Sequence, residues 1–242
     1  MRVATESLAR TDTVALPTAA RERLLDAAEA EFSRAGFGGA TTKAIAAAAG
    51  VAQGLLHYHF GTKERLFEAV IERRSGLINA ARMELLDAVD PDAPDAVHRI
   101  FEAFFRPPLG PEGGGPTFAP IFASLSVGGE RERALVARHY DAPARQFVDA
   151  LTRTGAAGRS VAASAYGFAL GALIGSVGRD GRIERLGGPG DGVDDVEPLI
   201  ARLVSFAAGG LRALAEADPP PTPRSRAATR GRTPRSPRRR PS

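Results

Sequence analysis

Three residues, Gly50-Val51-Ala52, are all that separate two short helical patterns, TKAIAAAA and QGLLHYHF. A link this short, with a glycine in it, makes two helices cross tightly as a helix-turn-helix. Thr41 offers an N-cap oxygen to the first of the pair, and Ile45, Ala46 and Ala49 form its inner face. Small alanines let the helices approach closely, and Val51 plugs the angle between them. Upstream, AARERLLDAAEAEFSRAGF repeats Leu24, Leu25, Ala28 and Phe32 at helical spacing, with Gly36 as a stop. Downstream, Thr62 caps TKERLFEAVIERR, whose Leu66, Phe67, Val70 and Ile71 point inward. Residues 20–74 thus predict three helices followed by a fourth.

The remaining chain predicts helices near 77–89, 93–106, 117–127, 130–153, 159–179 and 195–216. They are broken by DPDAP, PPLGPEGGGP and LGGPGDGVDD. No run alternates with period two, so the fold class is all-α. The expected organisation is a flexible arm over 1–18, a helix-turn-helix domain over 19–75 with its motif at 41–60, a larger helical domain over 76–216, and a disordered tail over 217–242.

Charge is unevenly placed. Residues 219–242 hold eight arginines, seven prolines and no acidic residue, while the whole chain sums to +4, so the first 218 residues carry −4. Such a tail cannot bury enough surface to fold; it serves either as a loose electrostatic hold on nucleic acid or as a solubilising segment. The nineteen uncharged residues Ser160–Gly178 have the length of a membrane span. Their serines and four glycines make them weakly hydrophobic, so a buried helix of a soluble protein is expected and no membrane partner. With no cysteine, the chain has no disulfide or thiolate site. The N-terminus lacks a signal-peptide pattern, and a cytoplasmic protein is expected.

His57 and His59 lie two apart, point in different directions on a helix and cannot share one metal. No metal or cofactor is expected. The third helix instead suits DNA: a recognition helix enters the major groove by its N-terminal end. Gln53 there can pair with adenine N6 and N7, Gly54 lets backbone approach, and Leu55 suits a thymine methyl. His57 and Tyr58 can reach phosphate or base edges, while Leu56 and Phe60 anchor the helix and His59 supports the fold. Thr42, Lys43 and Lys63 can hold phosphate oxygens.

The segment TTKAIAAAAGVAQGLLHYHFGTKERLFEAV resembles the DNA-binding domain of the TetR family of transcriptional regulators. The shared features are the T-x-x-x-I-A start, the A-G-V turn, G-x-L-x-x-x-F and K-E-x-L, with R-x-x-L-L-D-A-A-x-x-x-F-x-x-x-G-F upstream. The resemblance implies DNA contacts at Thr42, Lys43, Gln53, Gly54, Leu55, His57, Tyr58 and Lys63. Two positions depart from the family, which usually has tyrosine at 57 and serine or a charged residue near 52. The resemblance further implies that the helices after residue 76 dimerise and hold an inducer. AFFRPPL, HYDAPARQFVDAL and PLIARLVSFAAGGLRAL are similar to a branch responsive to fatty acids or acyl thioesters, implying a small hydrophobic, fatty-acyl ligand. Candidate pocket residues are Phe101, Phe105, Phe122, His139, Phe147, Tyr166 and Leu170, although most of the phenylalanines suit a plain core equally well.

The expected function is a DNA-binding transcriptional regulator, a ligand-released repressor that meets a palindromic operator on double-stranded DNA as a homodimer. The alternatives are a helix-turn-helix module that binds a protein and an all-α enzyme. The latter has little to work with, as the chain has four histidines, no P-loop and no G-x-S-x-G.

Overall fold

The computed structural model describes residues 8–110, 113–177, 185–186 and 196–218. Helices α1 Leu8–Gly39, α2 Thr42–Ala48, α3 Gln53–Phe60 and α4 Lys63–Asp87 form and carry the head. They are followed by α5 Ala96–Leu109, α6 Gly115–Ser126, α7 Glu130–Arg153, α8 Arg159–Val177 and α9 Val196–Ala217, and no strand occurs among the described residues. The chain is therefore all-α. Residues 1–7 and the arginine-rich tail at 219–242 lie outside the described residues.

The local signals act as physical chemistry requires. Gly36 adopts φ 67° and interrupts α1, and Gly50 adopts φ 66° to turn the chain between α2 and α3. Thr41 Oγ1 accepts from the Ala44 amide at 3.1 Å, and Thr62 Oγ1 accepts from the Arg65 amide at 3.3 Å. These two caps satisfy donors that open helix ends leave without partners.

Two apolar clusters hold the fold. One gathers Leu24, Leu25, Phe32, Ile45, Leu56, Phe60 and the inner face of α4, and it also takes Phe118, Ile121 and Leu125 from α6. The head therefore shares its core with the larger domain. The second cluster is built around Phe101, Phe104, Phe105, Phe147, Leu151, Leu203 and Leu211, from α5, α7 and α9. Phe104 meets Phe105, Phe147 and Tyr166 edge-on at 5.0, 5.5 and 5.1 Å, the arrangement aromatic quadrupoles favour.

Four expectations change. The chain is helical from Leu8, where an arm to residue 18 was expected, since each added residue only propagates an existing helix. The boundary at 75/76 falls inside α4, which runs unbroken through Gly76. A mid-helix glycine is unfavourable by about 1 kcal/mol, and the burial of the apolar Ile71, Ile78 and Leu86 on either side of it outweighs that. Helix α5 continues through Pro107-Pro108 to Leu109. Pro108 has no N–H for the Phe104 carbonyl four residues back, and Arg82 Nε on α4 donates to that carbonyl at 3.0 Å instead. Finally, α8 is not a fully buried helix. By length and composition α8 and α9 match a membrane span, but Val161, Ala165, Ala169 and Leu173 bury one face of α8 in the bundle and leave the other exposed.

Candidate nucleic-acid interface

The buried pair Leu56 and Phe60 fixes the roll of α3, which turns Gln53, Gly54, His57 and Tyr58 outward. Tyr58 is 81% exposed. Thr42 on α2 and Gln53 on α3 meet across the turn, where Gln53 Nε2 donates to Thr42 Oγ1 at 3.1 Å. That bond orients the carboxamide and leaves its oxygen and second N–H for a partner. Nothing lies within 4 Å of where a Cβ on Gly54 would stand. Leu55 is half-buried beside it, and Lys43 is exposed at the start of α2.

Two expected contacts have structural duties. Lys63 Nζ donates to the carbonyls of Phe37 at 2.8 Å and Ala40 at 3.0 Å, and sits 4.6 Å from the Phe37 ring centroid. It thus ties the end of α1 to the start of α4. Hydrogen bonds from a charged group are worth about 1.5–3 kcal/mol, so Lys63→Ala is expected to lower stability by about 2 kcal/mol in urea denaturation. Lys43→Ala should leave the unfolding midpoint alone.

His57 Nδ1 lies 2.9 Å from the Gly61 carbonyl. A carbonyl only accepts, so Nδ1 carries the proton and Nε2 of the neutral ring is an acceptor. Donation to phosphate thus requires the imidazolium. His59 is half-buried, its ring packed between Tyr58 and Phe60 with Nε2 unpartnered.

In the larger domain the seven expected pocket residues separate. Phe101, Phe105 and Phe147 fill the core, with Tyr166 and Leu170 packed against it. His139 lies half-buried, its backbone oxygen accepting from Asn79 Nδ2 at 2.9 Å, and burial lowers its pKa against the opposing charges of Glu72 and Glu68. Phe122 alone of the seven lines a small cavity of about 30 Å³, shared with Ile78, Arg82, Phe118, Tyr140 and Leu173. A broader cleft of about 930 Å³ opens between the head and the larger domain. Among its charges, Glu29 pairs with Arg74 at 2.6 Å and Arg106 with Glu197 at 2.6 Å.

Arg82 is the residue the sequence reading missed. Its setting, ARMELL, reads as a charged position on a solvated helix face, and nothing local announces a buried guanidinium.

Residues 24–70 match the family model described as bacterial regulatory proteins, tetR family, and residues 100–210 match one described as tetracyclin repressor-like, C-terminal domain. The chain is 34% identical over 91 residues to the transcriptional repressor NicS of Pseudomonas putida, covering 36% of this chain and 43% of that protein. It is 31% identical over 136 residues to the regulatory protein RaaS of Mycobacterium tuberculosis, covering 56% and 58% respectively. The matched region thus spans less than two thirds of either relative. Among solved structures, the regulator PfmR of Thermus thermophilus superposes with a TM-score of 0.58 at 21% identity, over 78% of this chain and 98% of that one. The fatty acid degradation regulator FadR of Bacillus halodurans gives 0.59 at 18% identity, over 79% and 99%. Both resemblances are of fold. With a reading head of this geometry and both family models matched in order, the chain belongs to the TetR family of bacterial transcriptional regulators.

Proposed function

We propose that the protein is a cytoplasmic repressor that binds a palindromic operator as a homodimer and is released by a small hydrophobic ligand. The observation that carries this reading is the Thr42–Gln53 bond at the open N-terminal end of α3. It presents a preset carboxamide beside a glycine that keeps the surface clear, as base readout in a major groove requires. Lys43, Thr42 and Tyr58 flank it as phosphate contacts, and Leu55 and His57 complete the surface.

The dimer is proposed through α8 and α9. Phe168 and Phe206 are 62% and 64% exposed, and Gly167, Gly171, Gly175, Gly209 and Gly210 have open space where a Cβ would stand. Two such helices from each subunit make a four-helix interface about a two-fold axis. The axis sets the two heads one helical turn of DNA apart, or a multiple of it.

Release uses α4 as the lever. That helix carries Lys63 at the head and Arg82 at the cavity, about 28 Å apart at 1.5 Å per residue. A ligand that favours a tilted α4 also favours heads out of register with their half-sites. For the ligand, the fold likeness to a fatty acid degradation regulator and the Phe118–Phe122 wall support an apolar, fatty-acyl body.

The test is fluorescence anisotropy with DNA flanking the protein's own gene, using a chain lacking 219–242 so that the tail cannot mimic specific binding. Saturable binding that survives random competitor is expected. Gln53→Ala should relax the preference at one base pair and weaken binding by about 1–3 kcal/mol. Lys43→Ala should weaken all sequences alike and lower the salt slope by about 1. If Lys43→Ala and Gln53→Ala leave both affinity and salt slope unchanged, the head reads something other than DNA.

A further inference from the structure

Arg82 is 4% exposed in the middle of α4, and its Nε bond to the Phe104 carbonyl is its one hydrogen bond among the described residues. The guanidinium lies 4.4 Å from the Phe104 ring centroid. Among the described residues no carboxylate pairs with it, and the titratable groups near enough to act on it are Tyr166 and Tyr140. Tyr140 is 7% exposed, and its buried hydroxyl has no hydrogen-bond partner among the described residues. Both side chains line the cavity of about 30 Å³, whose wall includes Ile78, Phe118, Phe122 and Leu173 and the backbone of Gly113 and Gly115.

A buried cation with one hydrogen bond and a buried hydroxyl with none face one apolar cavity, and burying polar groups that are not fully hydrogen-bonded is unfavourable. A single ligand group repairs both: an anion with two oxygens accepts from the guanidinium fork with one and from the hydroxyl with the other. The aromatic and aliphatic walls ask for an apolar body behind it.

We propose that the cavity at Arg82 and Tyr140 is the anion-binding end of the inducer site, and that the inducer is an amphipathic monocarboxylate whose carboxylate docks there. This rests on the reading of the chain as a ligand-released regulator and names the chemistry that reading leaves open. A neutral amide or alcohol of the same length can accept from the guanidinium but brings no charge to offset it, and a thioester group lacks that charge too. Burial lowers the Arg82 pKa, but a guanidinium starts so high that it stays a cation. Burial raises the Tyr140 pKa, so its hydroxyl remains a donor. The cavity holds a carboxylate and little more, so the body of the ligand must part α6 from α8 to enter. Because Arg82 sits on α4, the new bonds act directly on the helix that carries the head.

The experiment is thermal denaturation of the full chain without DNA, in octanoate, octanamide or 1-octanol. Octanoate is expected to raise the midpoint and the two neutral probes to leave it nearly unmoved. Tyr140→Phe should keep or raise the midpoint of the ligand-free protein, since it removes an unpartnered hydroxyl, and should weaken octanoate about tenfold. Arg82→Met should abolish the octanoate response. Equal shifts from all three probes, no shift from octanoate, or an unchanged octanoate response in Tyr140→Phe would each overturn the proposal. Operator binding by the same proteins is measured separately. A wild-type chain that binds its operator but ignores octanoate refutes the carboxylate site alone, whereas one that binds octanoate but no operator refutes the regulator reading.

Discussion

Glu29→Gln is expected to lower the stability of the protein by roughly 3 kcal/mol, because it removes the anion from a buried ion-pair network. Glu29 is 3% exposed on α1. Its carboxylate accepts from Arg74 Nη2 at 2.6 and 2.7 Å and from Arg73 Nη2 at 2.9 Å. Arg73 also reaches Asp26 at 2.7 Å. Burial lowers the Arg73 pKa, and its bonds to Asp26 and Glu29 more than offset that. Glutamine keeps the shape but supplies one acceptor where two are used, and it turns an N–H₂ toward a guanidinium. The cost is therefore that of two desolvated cations losing their common partner. Urea denaturation measures it, and a change in stability below about 0.5 kcal/mol would show that the clamp adds nothing.

The clamp bears on function through its position. It joins α1 to α4 midway between the reading surface and the cavity, and Arg74 packs beneath the N-terminus of α6. A Cβ on Gly114 would come within 2.9 Å of Arg74 Nε. Any displacement of α6 by a ligand therefore presses on the residue that holds the head to its lever.

What could be read from the sequence, and what could not, divides by the range of the interaction. Thr41, Gly50 and Thr62 act within four residues of themselves, so their caps and turn were legible, and so were the buried Leu56 and Phe60 that set the roll of α3. Other features depend on distant partners. Helix α5 outlasts Pro107-Pro108 with the help of a donor 22 residues away in sequence, and Lys63 is held by carbonyls 26 and 23 residues upstream. A long cationic side chain looks the same in a sequence whether it ends in water, on phosphate or on a carbonyl. On α9, Leu199, Leu203, Phe206, Gly210 and Leu214 recur at helical spacing as one apolar stripe, but the structure divides them, with Leu203 buried and Phe206 and Gly210 exposed. Only packing reveals which part faces inward.

That division makes Phe168→Glu the most informative change in the larger domain. It is expected to yield a monomer and to lower operator affinity by about 10²–10⁴-fold, the advantage that two linked heads hold over one. Phe168 is exposed on α8, outside the face that Ala165, Ala169 and Leu173 bury, so a carboxylate there is solvated in the monomer and should change its stability by less than about 0.5 kcal/mol. Across a two-fold axis the same substitution places two carboxylates in one apolar interface, where each must be desolvated beside a like charge. The reading surface on α3 is untouched, so the residual binding of each head and its dependence on Gln53 should persist. Sedimentation velocity gives the mass and anisotropy gives the affinity. A Phe168→Glu protein that remains dimeric with full operator affinity would place the two-fold axis on another face and leave the exposed stripe of α8 and α9 without a role in DNA binding.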